Sequence, residues 1–248
     1  MDLGLRDKVA LVTGGSGLIG SAVARRLGLE GARVAICGRR SDRLEAAGSR
    51  LREEGIEVFA RQADVTRPDE VQSLLEAVVD TYGGLDILVN NPGGYVKLGP
   101  FSSVEPDEWR QGLELNLMTV IGVSRAALPY MKARPWGRIV NMGAFYLAPG
   151  APGVLTELAE NAVAKTAVAA ATKVMAEELA PKITVNCVAP GPVGIDHPMR
   201  PMTKGFPVPR PADPDELADL IAFLCSSQAG YLTGLTIPFD GGSTRRIL

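Results

Sequence analysis

The sequence predicts an α/β fold in which a single domain, residues 1–248, forms a doubly wound parallel sheet of about seven strands with helices on both faces. Short apolar runs of strand length alternate along the chain with longer segments whose apolar residues recur at helical spacing. No internal repeat and no linker-like stretch interrupts this alternation. Strands that alternate with helices in this way are typical of a parallel sheet covered on both faces.

The first half of the chain is predicted to hold four strands, at residues Val9–Val12, 33–37, 57–61 and 85–89. Apolar spacing predicts a helix directly after the first strand and a second helix over residues 41–54. We expect Thr66 to act as the N-cap of a third helix, and the Gly83-Gly84 pair to end it.

The second half is predicted to add three strands, at residues 138–142, 183–188 and 235–239. One long helix or two consecutive helices are expected over residues 109–133, with Asn116 in the middle, and further helices over 156–179 and 215–224. Eight prolines lie within residues 190–214, which excludes regular helix over most of that span.

Composition excludes several classes of protein. The net charge is −2 without any block of like charges, so neither nucleic acid nor an anionic membrane is an expected partner. No apolar run approaches the roughly 20 residues of a membrane span, and no signal-peptide pattern is present, so we expect a soluble cytoplasmic protein. Cys37, Cys187 and Cys225 are odd in number and lie in apolar surroundings, which predicts buried, reduced thiols.

Residues 8–20, KVALVTGGSGLIG, combine a strand, a glycine turn and the start of a helix. This arrangement allows a phosphate to lie on free backbone N–H groups at the helix N-terminus, where a Cβ would keep the backbone away. The stretch therefore predicts dinucleotide binding, and the alternative is a tight turn in an α/β sheet. The residues expected to contact the cofactor here are Gly14, Ser16, Gly17, Leu18 and Ile19.

Further motifs follow in a fixed order along the chain. They are Thr13-Gly14 with Gly20, Asp64-Val65, Asn90-Asn91 with Gly93, Asn116, Lys165, Asn186 with Pro190-Gly191, Tyr231-Leu-Thr-Gly and Asp240-Gly-Gly. In their order and spacing they resemble the short-chain dehydrogenase/reductase family over essentially the whole chain. The resemblance implies a Rossmann-type fold, a nicotinamide cofactor and a homodimer or homotetramer packed through the fourth and fifth helices and the C-terminal strand.

The resemblance also implies cofactor contacts beyond the glycine turn. Asp64 and Val65 would lie at the adenine, and Asn91 beside the adenosine ribose. Lys165 would hold the other ribose. The remaining expected contacts lie after the sixth strand, at Pro190, Gly191 and Val193. For Asp64, the alternative is a carboxylate that serves only a turn.

The second strand ends in Cys37-Gly38-Arg39-Arg40. An acidic residue at this position would bind the ribose 2′-hydroxyl and disfavour a 2′-phosphate. No acid stands there, and the guanidinium of Arg39 is well suited to phosphate. We therefore expect NADP(H) rather than NAD(H), with a solvated loop charge as the alternative reading of Arg39.

The family's catalytic residues are only partly present. Asn116 and Lys165 match the family's asparagine and lysine, but Asn161 stands at the tyrosine position and Ala144 at the serine position. None of the five tyrosines is followed by a lysine four residues later. Leu18 also stands where the family usually has its second glycine. An amide such as Asn161 can donate a hydrogen bond to a developing alkoxide, but it cannot supply a proton.

A substitute proton donor is therefore needed, and three candidates stand out. Tyr146 follows the fifth strand, and the alternative is a loop aromatic. Lys165 can serve if desolvation lowers its pKa, although it can equally be a ribose-binding lysine only. His197, the one histidine, has a suitable pKa range, although a lone loop histidine is usually solvated. Tyr95 is a weaker fourth candidate.

The leading functional prediction is an NADP(H)-dependent oxidoreductase that reduces a ketone, or oxidises the corresponding alcohol, with altered proton delivery. Residues 190–214 would cover its small-molecule substrate, and no metal is implied. Two alternatives stay open because two of four catalytic groups are absent. One is a cofactor-binding protein without redox turnover, with a structural or regulatory role. The other is a lyase, isomerase or cyclase that uses the same cleft.

Overall fold

The computed structural model describes residues 2–144, 157–198 and 200–244, and these form one seven-stranded parallel sheet. The strand order is β3-β2-β1-β4-β5-β6-β7. The strands are β1 Val9–Val12, β2 Arg33–Gly38, β3 Val58–Gln62, β4 Ile87–Asn90, β5 Gly137–Met142, β6 Ile183–Pro190 and β7 Thr236–Phe239. The predicted class, a doubly wound parallel α/β sheet, is confirmed.

Seven α-helices connect these strands within the described residues. They are α1 Leu18–Leu29, α2 Ser41–Glu53, α3 Pro68–Tyr82, α4 Pro106–Leu113, α5 Thr119–Lys132, α6 Ala159–Leu179 and α7 Pro214–Cys225. Most predicted bounds differ from the observed ones by one to three residues. In the described part of residues 190–214 the only helical segment before α7 is a 3-10 helix, Arg200–Gly205, in keeping with the prolines there.

The prediction that Thr66 caps the third helix was wrong. Helix α3 begins at Pro68 with Arg67 as its N-cap, and no side chain in the described part of the chain caps it. Proline suits the first helical position because its missing N–H would have no partner there. The hydroxyl of Thr66 instead donates to Asp64 Oδ1 at 2.8 Å. The expected end of α3 is confirmed, since Gly83 is its C-cap with φ 79°.

Helices α4 and α5 run on from each other through a single π-helical turn, Glu114–Met118. Residues 109–133 therefore belong to two consecutive helices joined by this turn, and not to one regular helix. Asn116, at its centre, is fully buried. Single π-turns inside helices are frequent at functional sites.

Both faces of the sheet are covered by helices. Helices α1, α2 and α7 pack on one face, where Val12 and Ile36 are among the fully buried residues. Helices α3, α5 and α6 pack on the other face, against residues such as Leu11 and Leu88. The strands are apolar on both sides because both sides are buried.

All three cysteines are free and buried, as predicted, and burial raises the pKa of the Cys37 thiol to about 12. Among the described helices, none combines the length and apolarity that crossing a bilayer requires.

Candidate active site

A cavity of about 610 Å³ lies at the carboxyl ends of the strands, where β1 is flanked by β2 on one side and β4 on the other. The chain leaves β1 and β4 toward opposite sides of the sheet at this point, and ligands of open α/β sheets bind in such a crevice. Segments that follow β1 to β6 line the cavity. They bring together every described residue of the predicted cofactor site: Gly14, Ser16, Gly17, Leu18, Ile19, Arg39, Asp64, Val65, Asn91, Lys165, Pro190, Gly191 and Val193.

The turn after β1 requires glycine at several positions. Gly14 has φ 63°, in the left-handed region that favours glycine. A Cβ on Gly20 would lie 2.3 Å from the carbonyl oxygen of Gly14, and a Cβ on Gly15 would lie 2.6 Å from Ile36. These two glycines therefore let α1 and β2 approach the turn closely.

Helix α1 begins at Leu18 with Gly17 as its N-cap, and no side chain of the described residues caps its first N–H groups. Uncapped N–H groups at a helix N-terminus attract anions. A Cβ on Gly17 would have no atom nearer than 3.4 Å, so the space beside this residue is open to the cavity. Leu18 is exposed, and its side chain lies against Gly194 in the segment after β6. The turn and the helix start thus fit a pyrophosphate.

Asn91 ties the segment after β4 to the glycine turn. Its Nδ2 donates to the carbonyl oxygens of Thr13 and Gly14, both at 3.3 Å, and its backbone N–H donates to the Thr13 hydroxyl at 3.0 Å. Asp64 stabilises a turn, which was the alternative to a cofactor contact. Its Oδ1 accepts hydrogen bonds from the backbone N–H and the hydroxyl of Thr66. Both residues are half-buried and line the cavity as well.

Three arginines stand at the end of the cavity formed by β2 and α2. Arg39, Arg40 and Arg43 all line it and are all exposed. Arg40 forms an ion pair of 2.6 Å with Asp42. Arg39 and Arg43 form no ion pair within the described residues, so their charge at this end of the cavity is not neutralised locally.

Lys165, on α6, lies at the opposite end of the cavity. Its side chain is buried, and its Nζ donates to the carbonyl oxygens of Pro92 and Met142, each at 3.0 Å. Burial lowers the pKa of the Lys165 ammonium to about 8. The group therefore titrates near the range in which general acids and bases work in neutral solution.

Asn116 and Asn161 converge on one backbone group. Asn161 Nδ2 donates to the carbonyl oxygen of Gly94 at 2.7 Å, and Asn116 Nδ2 donates to the same oxygen at 3.0 Å. Asn116 Oδ1 accepts from the Gly94 N–H at 3.2 Å. A Cβ on Gly93 would lie 3.0 Å from Lys165 Nζ and 3.2 Å from Asn116 Oδ1, so glycine leaves room for these side chains.

Ala144, at the position expected from the sequence for the family's serine, lies in apolar surroundings. It packs in a small cluster whose other members are Leu158, Ala162, Met202 and Phe206. The last two come from the segment after β6, which therefore reaches over α6 near the site.

The remaining proton-donor candidates differ in placement. His197 and the half-exposed Tyr95 both line the cavity. Burial lowers the pKa of the His197 imidazole, which favours its neutral form. Tyr146 lies outside the described residues.

Sequence reasoning missed three features of the site. Arg40 and Arg43 join Arg39 at the cavity, although only Arg39 was singled out. The carbonyl of Gly94 is the meeting point of two amides, and no side-chain pattern marks a backbone acceptor in advance. Glu160, one residue before Asn161, is a fully buried carboxyl beside the site.

Comparison with known proteins gives consistent results. A family model described as short chain dehydrogenase matches residues 8–202. The 3-oxoacyl-(acyl-carrier-protein) reductase FabG of Vibrio cholerae is 36% identical over 253 residues, covering 97% of this chain and 98% of that protein. Dehydrogenase/reductase SDR family member 4 of Homo sapiens is 32% identical, covering 98% of this chain and 90% of that protein. A variant of actinorhodin polyketide ketoreductase, solved with NADPH, is similar with a TM-score of 0.88 and 34% identity, over 96% of this chain and 98% of that one.

Proposed function

Because the chain belongs to the short-chain dehydrogenase/reductase family of oxidoreductases, we propose that it is an NADP(H)-dependent enzyme that reduces a ketone or oxidises the corresponding alcohol. We further propose that Lys165 exchanges the proton with the substrate oxygen. The observation that carries this proposal is the buried Lys165 ammonium at the cavity wall, beside Asn161 in place of a tyrosine.

The preference for NADP(H) is supported by the arginines at one end of the cavity. Arg39 and Arg43 have no acidic partner among the described residues and no acid stands at the end of β2. Their guanidinium groups would hold the 2′-phosphate, and the α1 N-terminus would hold the pyrophosphate. When bound, the nicotinamide supplies the hydride in reduction and accepts it in oxidation.

The proton assignment is supported by a count of donors. A lysine ammonium has three N–H groups, and backbone carbonyls of Pro92 and Met142 take two of them. The third remains for a group in the cavity. Because burial lowers the Lys165 pKa to about 8, the ammonium holds a proton at neutral pH and can also release it.

The amides would shape the site rather than protonate the substrate, since Asn116 Nδ2 donates to the carbonyl oxygens of both Gly94 and Gly112. Asn161 Nδ2 and Asn116 Nδ2 donate to the Gly94 carbonyl oxygen at 2.7 and 3.0 Å, which limits how far either amide can rotate. A positioned general acid contributes roughly 10²–10⁴ in rate, so a lysine in this role would restore a large part of what the absent tyrosine supplies. His197, Tyr95 and Tyr146 are the competing donors.

The substrate end of the cavity is apolar where the family has its serine. Ala144 lines the cavity there and packs in one apolar cluster with Met202 and Phe206, and this apolar wall supports a carbonyl compound with an apolar substituent. We propose that residues 190–214 cover this substrate. We also propose that the protein is cytoplasmic and forms a homodimer or homotetramer. The exposed apolar side chains of Met118, Val163 and Val174 support such an assembly.

The test is ketone-dependent oxidation of NADPH by the purified protein, with ethyl acetoacetate, cyclohexanone and acetophenone as probes. We expect turnover that Lys165→Arg abolishes, because arginine keeps the charge but does not release its proton. Tyr146→Phe should retain turnover, and its loss would transfer the role to Tyr146. NADPH binding without any oxidation would favour a regulatory protein. Consumption of a substrate with NADPH conserved would favour a lyase, isomerase or cyclase.

A further inference from the structure

Glu160 is a carboxyl side chain without solvent contact in the first turn of α6. Its Oε1 accepts hydrogen bonds from the backbone N–H groups of Val96, at 2.8 Å, and Lys97, at 3.4 Å. Its Oε2 is buried and has no hydrogen-bond partner among the described residues. A buried carboxyl with one bare oxygen is costly, so its presence calls for a physical reason.

The surroundings of Oε2 are tight. A Cβ on Gly112, in α4, would lie 2.1 Å from this oxygen, so α4 packs directly on the carboxyl and only glycine fits there. The carbonyl oxygen of Gly112 also accepts from Asn116 Nδ2 at 3.1 Å. The Glu160 carboxyl therefore lies between α4, α6 and the segment after β4. Gly112, which packs on this carboxyl, also contacts Asn116.

The segment that Glu160 binds, residues 92–97, also holds the backbone acceptors of the site. Side chains of α6 bind this segment at three points in succession. Lys165 donates to Pro92, Asn161 donates to Gly94, and Glu160 accepts from Val96 and Lys97. The Gly94 carbonyl thus lies between the contact at Pro92 and the contacts at Val96 and Lys97. Its position in turn determines where the Asn116 and Asn161 amides lie.

We propose that Glu160 is a positioning residue of this active site, whose carboxyl fixes residues 94–97 on α6 so that the Gly94 carbonyl holds Asn116 and Asn161 in place. The inference rests on the proposed function for its catalytic consequence. The next backbone contact of the segment beyond Val96 and Lys97 is at Gly99, whose N–H donates to the Glu157 carbonyl oxygen. Without Glu160, the nearest remaining backbone anchor after Gly94 would therefore lie five residues away, at Gly99, while Pro92 would still anchor the segment before it.

The experiment compares Glu160→Ala and Glu160→Gln with Glu178→Gln, a control on the exposed side of the same helix. The experiment measures kcat and KM for ketone-dependent NADPH oxidation, the Kd for NADPH, the thermal unfolding transition, and the side-chain amide NMR signals of Asn116 and Asn161. We expect Glu160→Ala to lower kcat by about 10- to 100-fold, since misplacement of roughly 1 Å has this effect. The Kd for NADPH should change by less than about threefold, because the phosphate and adenosine contacts lie elsewhere in the cavity.

The conservative variant separates positioning from folding. Glu160→Gln keeps an oxygen acceptor for Val96 and should recover part of the lost kcat, and Glu178→Gln should match the parent. Both amide signals should shift in Glu160→Ala and stay in place in Glu178→Gln. Unchanged kcat and unchanged amide signals in both Glu160 variants would overturn the proposal. Loss of the thermal transition and of NADPH binding in both would do so too, by showing a purely structural role.

The amide signals keep this inference distinct from the proposed function. If the parent protein oxidises no NADPH, the proposed function fails, while displacement of the Asn116 and Asn161 signals in Glu160→Ala still supports the positioning role.

Discussion

Asn161 and Lys165 leave α6 one helical turn apart, and they donate to two carbonyl oxygens that are two residues apart on the same segment. Asn161 Nδ2 lies 2.7 Å from the Gly94 oxygen, and Lys165 Nζ lies 3.0 Å from the Pro92 oxygen. Residues four apart share a helix face, so both side chains meet the same cavity wall. Asn161 and Lys165, which the sequence pattern aligns with the family's catalytic tyrosine and lysine, thus share one helix face beside residues 92–94.

The pH dependence of turnover should report the Lys165 ammonium. Burial lowers the Lys165 pKa to about 8, so below this value the group carries the proton that ketone reduction consumes. We expect kcat for reduction to be constant below about pH 8 and to fall about tenfold per pH unit above it. Alcohol oxidation needs the neutral amine and should rise through the same pH. Reduction that stays constant to about pH 10 would contradict this assignment.

Arg39→Asp should reverse the cofactor preference. The substitution removes a guanidinium from the cavity end and supplies a carboxylate suited to a ribose 2′-hydroxyl. A charged hydrogen bond contributes roughly 1.5–3 kcal/mol, so the Kd for NADPH should rise by about 10- to 100-fold while that for NADH falls. Arg50→Asp, at an exposed position on α2 that does not line the cavity, is the matched control. Equal Kd values for NADPH in the Arg39 variant and the parent would refute the prediction.

Two glycines of the turn should respond differently to alanine. In Gly20→Ala the new Cβ would lie 2.3 Å from the Gly14 oxygen, so we expect overpacking to lower the free energy of unfolding by about 1–3 kcal/mol. In Gly17→Ala the nearest atom is 3.4 Å away and φ is −84°, so stability should be retained. The open space beside Gly17 should nevertheless be needed by the pyrophosphate, and NADPH binding should weaken. Thermal unfolding and NADPH titration of both variants test this, and equal behaviour would be the contrary result.

Gly93→Ala should impair turnover more than binding. The added Cβ would lie 3.0 Å from Lys165 Nζ and 3.2 Å from Asn116 Oδ1, which forces both groups to shift by a few tenths of an ångström. We expect kcat to fall by about tenfold, since the proton donor is displaced within its site. The melting temperature should stay close to that of the parent, because the Lys165 side chain can move at its flexible end. Gly122→Ala, with no atom within 4 Å of the new Cβ, serves as the control.

The fold was largely predictable because its signals are local. Each buried strand is a short apolar run, and each helix shows its own apolar face, so type and order followed from windows of a few residues. The ends were less certain because they depend on single contacts. Thr66 is of a residue type favoured at N-caps. Its hydroxyl, however, donates to Asp64, and the helix begins two residues later at Pro68.

The site was predictable only where polar or charged side chains follow one another in the order and spacing of the resembled family. Asn116, Asn161 and Lys165 were found in this way, and the structure brings them together around residues 92–94. Glu160 could not be found, because a glutamate in the first turn of a helix is ordinarily solvated and only the packing of Gly112 reveals its burial.

The π-helical turn Glu114–Met118 also bears on how chain length is tolerated near the site. Its closing hydrogen bond spans five residues, from the Thr119 N–H to the Glu114 oxygen, so the turn holds one residue more than an α-helical turn. Deleting one residue there would let α4 and α5 join as a regular helix while turning Asn116 away from Gly94. A chain shortened by one residue at this point would therefore keep its fold but lose the hydrogen bonds between Asn116 and Gly94. A change of chain length at this turn would thus alter the site without altering the sheet and its helices.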